Sequence, residues 1–164
     1  MADLRLTIAR TVCRFASFTS RLLGKNGSSK PGQIALKIDP NLIQKLSKQV
    51  KKKIIIITGT NGKTSTNNML TQVLLAAGND VVSNLQGSNM LSGIATAFLL
   101  HKSQPDYACF EVDEAVCRHL FKMVTPDVFA VTNLFADQTD RYGKDGPFKF
   151  INEAIQAVPN LNNQ

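Results

Sequence analysis

The sequence has no tryptophan, only two tyrosines and only three cysteines among 164 residues. The cysteines, Cys13, Cys109 and Cys117, are odd in number and show no Cys-x-x-Cys spacing. This argues against a disulfide framework and against a zinc site within the chain, and it suits reduced thiols in a cytoplasmic compartment. No run approaches the ~18 apolar residues of a membrane span. Acids are scarce at the front: residues 1–53 hold two, Asp3 and Asp39, against twelve Lys and Arg. Residues 54–164 hold ten acids against seven Lys and Arg, so the net charge of +7 divides into a front of +10 and a back of −3. Such a front suits nucleic acid, an anionic membrane or an acidic partner, or equally the solvated face of amphipathic helices. A hydrophobic share of 43% at this length is that of one globular α/β domain.

What is present begins with "MADLRLTIARTVCRFASFTSRLL", where Leu4, Ile8, Val12, Phe15 and Leu22 recur at helical spacing between arginines. An Arg-rich, acid-poor start is also the profile of a transit peptide, but a first helix packed on the domain or lying near a membrane is the favoured reading. "GKNGSSKPGQ", 24–33, reads as a polar connector. "DPNLIQKLSKQVKKK" reads as a short amphipathic helix with Asp39 as its cap and Pro40 at its first position.

From Ile54 the pattern changes. The β-branched run "IIIIT" predicts a strand buried on both faces. Helix, strand, helix, strand, helix, strand and helix then follow in "SNNMLTQVLLAAGND", "DVVS", "NMLSGIATAFLLHK", "PDYACFEVDE", "AVCRHLFKMV", "PDVFAVTNL" and "GPFKFINEAIQAV". Strict alternation predicts an α/β fold, a mostly parallel sheet with helices on both faces, preceded by N-terminal helices. The chain divides on this reading into a basic helical segment, 1–53, and a nucleotide-binding unit, 54–164. Four parallel strands leave the last edge open.

The junction after the first strand carries the chemistry. A buried strand that ends in Gly59-Thr60-Asn61-Gly62-Lys63-Thr64 and leads into a helix is a phosphate cradle. Gly59 and Gly62 allow positive φ and a close approach of backbone to ligand. Lys63 offers a positive charge to the β- and γ-phosphates, and the Thr64 hydroxyl can ligate Mg²⁺. Ile57 stands where the common G-x-x-x-x-G-K-[ST] loop has its first glycine. At the end of the third strand lie Glu111, Asp113 and Glu114. Glu111 is favoured as a metal-site acid. Asp113 suits a helix cap as well as a metal, and Glu114 suits a first helical turn. Neither His101 nor His119 has a Ser, Cys or carboxylate partner at a telling spacing. Cys117 reads as a buried thiol and His119 beside it as a surface group.

"GTNGKTST" resembles the nucleotide loop of the Mur ligase superfamily. "PGQIALKID", "QGSNMLSGIATAF", "FEVDEA" and "TNLFADQTDRYG" are similar to its MurT-type branch, the synthetase subunits that pair with a GatD-type glutaminase. The resemblance runs from about residue 6 to 158 and implies the Mur ligase central domain. It implies ATP and Mg²⁺ as cofactors, with Gly59, Thr60, Asn61, Gly62, Lys63, Thr64, Ser65 and Asn133 at the nucleotide. It implies Thr64 and Glu111 at the metal, and Lys63 and Glu111 in catalysis. Lipid II is the implied substrate, the D-glutamate α-carboxyl of its stem peptide the implied target, and no nucleic acid is involved. The implied place is the cytoplasm, at the inner face of the plasma membrane, with an anionic membrane surface as a further partner. Gln138 stands where the peptide-adding relatives have histidine, as in the MurT branch, and Gln86 stands where an acid is common. The zinc ribbon and C-terminal domain of that branch have no counterpart in the sequence. The alternative is therefore a nucleotide-binding module without ligase activity of its own.

Overall fold

A computed structural model describes residues 3–22, 29–85, 88–135 and 146–158. Its elements are α1 (Leu4–Leu22), α2 (Lys30–Ile38), α3 (Leu42–Ser47), β1 (Lys53–Thr58), α4 (Lys63–Ala76), β2 (Val81–Ser83), α5 (Leu91–Leu100), β3 (Tyr107–Glu111), α6 (Glu114–Leu120), β4 (Val128–Val131) and α7 (Gly146–Ala157). The four strands are parallel in the order β2-β3-β1-β4. The alternation in sequence thus becomes a parallel sheet with helices on both faces, as expected.

The isoleucine run has a reason at each position. Side chains alternate across a strand. Ile55 and Ile57 face α4 and pack with Val81, Cys109, Leu70 and Leu74. Ile56 faces the other way, into a larger core with Ile43, Ile94, Phe98, Phe110 and Leu120. Phe98 and Phe110 meet edge to face there, with centroids 5.0 Å apart. A strand between two apolar layers has no polar side, so its sequence is continuous rather than alternating.

The N-terminal helices belong to that larger core. Ala9, Cys13, Ala35, Leu42 and Leu46 are buried in it. α2 starts inside the stretch expected to be a connector, so that expectation is corrected. Gly32 explains the misreading. A Cβ there would lie 1.9 Å from the Ser92 carbonyl oxygen of α5, so the glycine serves helix contact rather than a loop. α3 is also shorter than expected. Pro40 sits in a turn before it and Asn41 is its N-cap residue. Asp39 accepts the Asn41 N–H at 3.1 Å, and its carboxylate pairs with Lys45 at 2.7 Å.

β4 stands at the sheet edge, and none of its four residues is buried. The open edge expected from the strand count is observed. No helix among the described residues is long and apolar enough to cross a membrane.

All three cysteines are free and buried. Burial pushes the Cys109 thiol up to about 11 and the Cys117 thiol up to about 12. It raises Cys13 as well. A raised thiol stays protonated at pH 8 and is a poor nucleophile. The folded protein is therefore expected to resist Ellman's reagent at pH 8, with all three thiols reacting once denaturant is added. Fast labelling of Cys117 in the folded chain would show that it is not enclosed.

Candidate nucleotide-binding site

The carboxyl ends of the strands gather the candidate residues, as in other open α/β sheets. Thr58 closes β1 and ties it to both neighbours. Its hydroxyl donates to the Val112 carbonyl after β3 at 2.8 Å, and its carbonyl accepts the Thr132 N–H after β4 at 2.9 Å. The chain then turns at Gly59, where φ is 129°, and at Gly62, where φ is 83°. Both glycines have the positive φ expected of them.

Gly62 is the N-cap residue of α4 and offers no side-chain cap, and no acid stands in the first turn. The first N–H groups of this 14-residue helix thus open towards the loop with their partial positive charge uncompensated. Thr64 and Ser65, in that first turn, are exposed. Lys63 folds back over the loop. Its ammonium donates to the Gly59 carbonyl and to the Thr60 carbonyl at 3.3 Å, and it lies 3.7 Å from the Glu114 carboxylate.

The loop is braced from β4. Asn133 accepts the Asn61 N–H at 2.9 Å and donates to the Asn61 carbonyl at 3.0 Å. The Thr132 hydroxyl donates to the same carbonyl at 2.7 Å. The Thr60 N–H donates to the Asn133 carbonyl, and the Phe135 N–H donates to the Thr60 hydroxyl. Both amide atoms of Asn133 are therefore used on backbone. In this geometry Asn133 acts on the loop's shape, and Asn61 and Thr60 are its targets.

Glu111 ends β3, and its Oε2 is buried without a hydrogen-bond partner. A carboxylate oxygen in that condition is unfavourable unless a cation or donor meets it. Its chemistry fits a hard cation such as Mg²⁺, which takes one or two protein carboxylates plus phosphate and water oxygens. Among the described residues no three His, Cys, Asp or Glu side chains cluster as a metal cage. Asp113 instead accepts the Ala115 N–H at 3.0 Å and is the N-cap of α6, the capping role weighed for it above.

Sequence reasoning missed Asn84. This buried side chain, just past β2, donates to the Glu111 carbonyl at 2.9 Å and accepts the Glu111 N–H at 3.1 Å. It also donates to the Ser88 carbonyl at 3.2 Å. It reads the backbone of Glu111 from the neighbouring strand and so sets where that carboxylate stands. The Lys63–Glu114 pair was also missed. One expectation is corrected: His101 does have a carboxylate partner, Asp80 at 3.0 Å, with the Ser103 hydroxyl 3.4 Å away. This group precedes β2, at the sheet end away from the loop. His119 is exposed, as expected. Gln86, Gly87, Asp137, Gln138, Asp140 and Arg141 lie outside the described residues.

Comparison with known proteins bears on the family and the fold. Residues 57–145 match the family described as Mur ligase middle domain. The chain is 40% identical over 134 residues to "Lipid II isoglutaminyl synthase (glutamine-hydrolyzing) subunit MurT" of Staphylococcus aureus (strain COL), covering 81% of this chain and 30% of that protein. It is 37% identical over 161 residues to the protein of the same name from Streptococcus pneumoniae (strain ATCC BAA-255 / R6), covering 96% of this chain and 35% of that protein. The chain thus spans about a third of the length of these relatives. Among solved structures it is similar in fold to MurF ligase of Thermotoga maritima in complex with ADP, with a TM-score of 0.64 at 19% identity over 76% of this chain and 30% of that one. MurF of Acinetobacter baumannii gives a TM-score of 0.62 at 22% identity, over 77% and 28%. With residues 57–145, more than half of this chain, matching the Mur ligase middle domain, the chain belongs to the Mur ligase family.

Proposed function

We propose that this chain holds ATP for a ligase subunit that amidates the D-glutamate α-carboxyl of the lipid II stem peptide, with ammonia from a GatD-type glutaminase. The observation that carries the reading is the buried, unpartnered Glu111 oxygen at the same sheet end as the glycine loop and the uncapped α4. The MurT-type relatives, by name, make the isoglutaminyl product.

On this reading the α4 N-terminus and the loop N–H groups take phosphate oxygens. Lys63 exchanges its loop carbonyls for the β- and γ-phosphates and offsets charge as the γ-phosphoryl moves to the substrate carboxylate. Thr64 and Glu111 would hold Mg²⁺, which when bound would supply Lewis-acid charge at the phosphates. Asn84 keeps Glu111 in place, and Asn133 keeps the loop in shape. The acyl phosphate so formed is open to attack by ammonia, with phosphate as the leaving group. The basic segment 1–53 and the nucleotide unit 54–164 are the two functional parts. The place of action is the cytoplasm, at the inner face of the plasma membrane.

A second reading rests on the third of the relatives' length that the chain spans: a nucleotide-binding module without ligase activity of its own. One experiment separates them. The chain is titrated with Mg·ATP calorimetrically, then incubated with a GatD-type glutaminase, glutamine, ATP and lipid II, and the product is weighed by mass spectrometry. Amidated lipid II supports the ligase reading. ATP binding without product supports the module. No ATP binding overturns both.

A further inference from the structure

α1 has two apolar faces, and the fold uses only one. The inner face buries Ala9, Cys13 and Ser17. On the opposite side stand Leu4, Ile8, Phe15 and Phe18, with Thr11 between, at the spacing of one helical stripe. Their exposures are 72%, 44%, 69% and 61%, high for four large apolar side chains on one face. The stripe covers 14 helical rises, ~21 Å of surface. Arg5 and Arg14, both exposed, flank it on its two sides.

The charged residues of α1 are all of one sign. α1 itself holds no acid. The only acids of residues 1–53 are Asp3 and Asp39, and both are bound to Lys45, at 2.6 and 2.7 Å. A positive patch is met by a negative one across an interface. A stripe with two phenylalanines and arginine margins, on a helix without an acid, matches a surface that is negative throughout and apolar a few ångströms down. That is the design of a helix lying in a membrane interface.

We propose that the outer face of α1 docks the protein on an anionic phospholipid bilayer, with Leu4, Ile8, Phe15 and Phe18 inserted below the headgroups and Arg5 and Arg14 at lipid phosphates. Membrane binding through this face is separate from the nucleotide site and does not require that the ligase reading be correct.

The test is vesicle flotation of the whole chain, with vesicles of phosphatidylcholine alone or mixed with phosphatidylglycerol. The protein is expected to float with the anionic vesicles and not with the neutral ones, and to be released by salt. The double variant Phe15→Ser/Phe18→Ser is expected to lose about tenfold or more of its partition while keeping its circular dichroism, because both side chains project into solvent. Arg5→Gln/Arg14→Gln is expected to lose about fivefold per arginine. Lys63→Ala, which removes the nucleotide cation, is expected to float like the parent. No flotation with anionic vesicles, or flotation unchanged in the folded phenylalanine variant, overturns the proposal. So does sedimentation showing a dimer that the phenylalanine substitutions dissociate, since the face then belongs to a second copy.

Discussion

Mg·ATP binding is expected to fall about a hundredfold in Lys63→Ala while the fold survives. Lys63 stands at the first position of α4, with its side chain 15% exposed and its ammonium over the loop carbonyls. Its nearest carboxylate, Glu114, is 3.7 Å away, and the first turn of α4 contains no acid. The alanine variant leaves the helix N-terminus as the remaining positive element at the loop. A hydrogen bond to a charged partner contributes ~1.5–3 kcal/mol, which is about ten- to 150-fold in affinity. The upper part of that range applies, because the phosphates also lose a full charge in a partly enclosed loop. The loop carbonyls left behind can turn to water, so the melting temperature should move little. Calorimetric titration beside a thermal melt reads both. Equal affinity in the parent and a folded Lys63→Ala would remove this lysine from the nucleotide site.

Gly59→Ala is expected to destabilise the fold strongly. At Gly59 φ is 129°, which alanine rarely adopts. The added Cβ would lie 2.2 Å from the Thr132 hydroxyl oxygen and 2.7 and 2.9 Å from the carbonyl oxygen and nitrogen of Asn133. Two of those atoms are backbone of the segment that braces the loop, so relief requires β4's exit to move. Backbone strain and overpacking together cost ~3 kcal/mol or more. That is about 6–12 °C in melting temperature for a chain of this size. Gly62→Ala is the control. Its φ of 83° is also left-handed, but a Cβ there meets nothing within 4 Å. Only the conformational cost of ~1–2 kcal/mol remains. Equal melting temperatures for the two variants would mean that the clash with Thr132 and Asn133 does not exist.

The parts legible in the sequence are those whose cause is local. The run Ile54–Ile57 announces a strand covered on both faces, because two apolar layers leave no polar side to alternate with. Gly59 and Gly62 announce a turn with positive φ, because an unstrained left-handed residue is nearly always glycine. Asp113, just ahead of a helix, announces a cap, because its carboxylate reaches an N–H two residues on. α2 was not legible. Its Ser, Pro and Gly have the composition of a connector, whereas Gly32 is there for contact with Ser92, sixty residues away. His101 was read as unpartnered for the same reason, since Asp80 lies 21 residues before it and meets it only in the fold.

From its sequence alone the protein acquires an α/β order of elements, a glycine loop between a buried strand and a helix, a basic front and a resemblance to the Mur ligases. Each of these is a property of neighbouring residues or of composition. The tertiary structure decided what reaches what. It set β3 between β2 and β1, which brings Asn84 onto the backbone of Glu111, 27 residues distant. It set β4 on the other side of β1, which lets Thr132 and Asn133 hold the loop. It turned one apolar face of α1 inward and left the other outside. Strand order and helix rotation come from burying one shared core, a global balance that no window of the sequence contains.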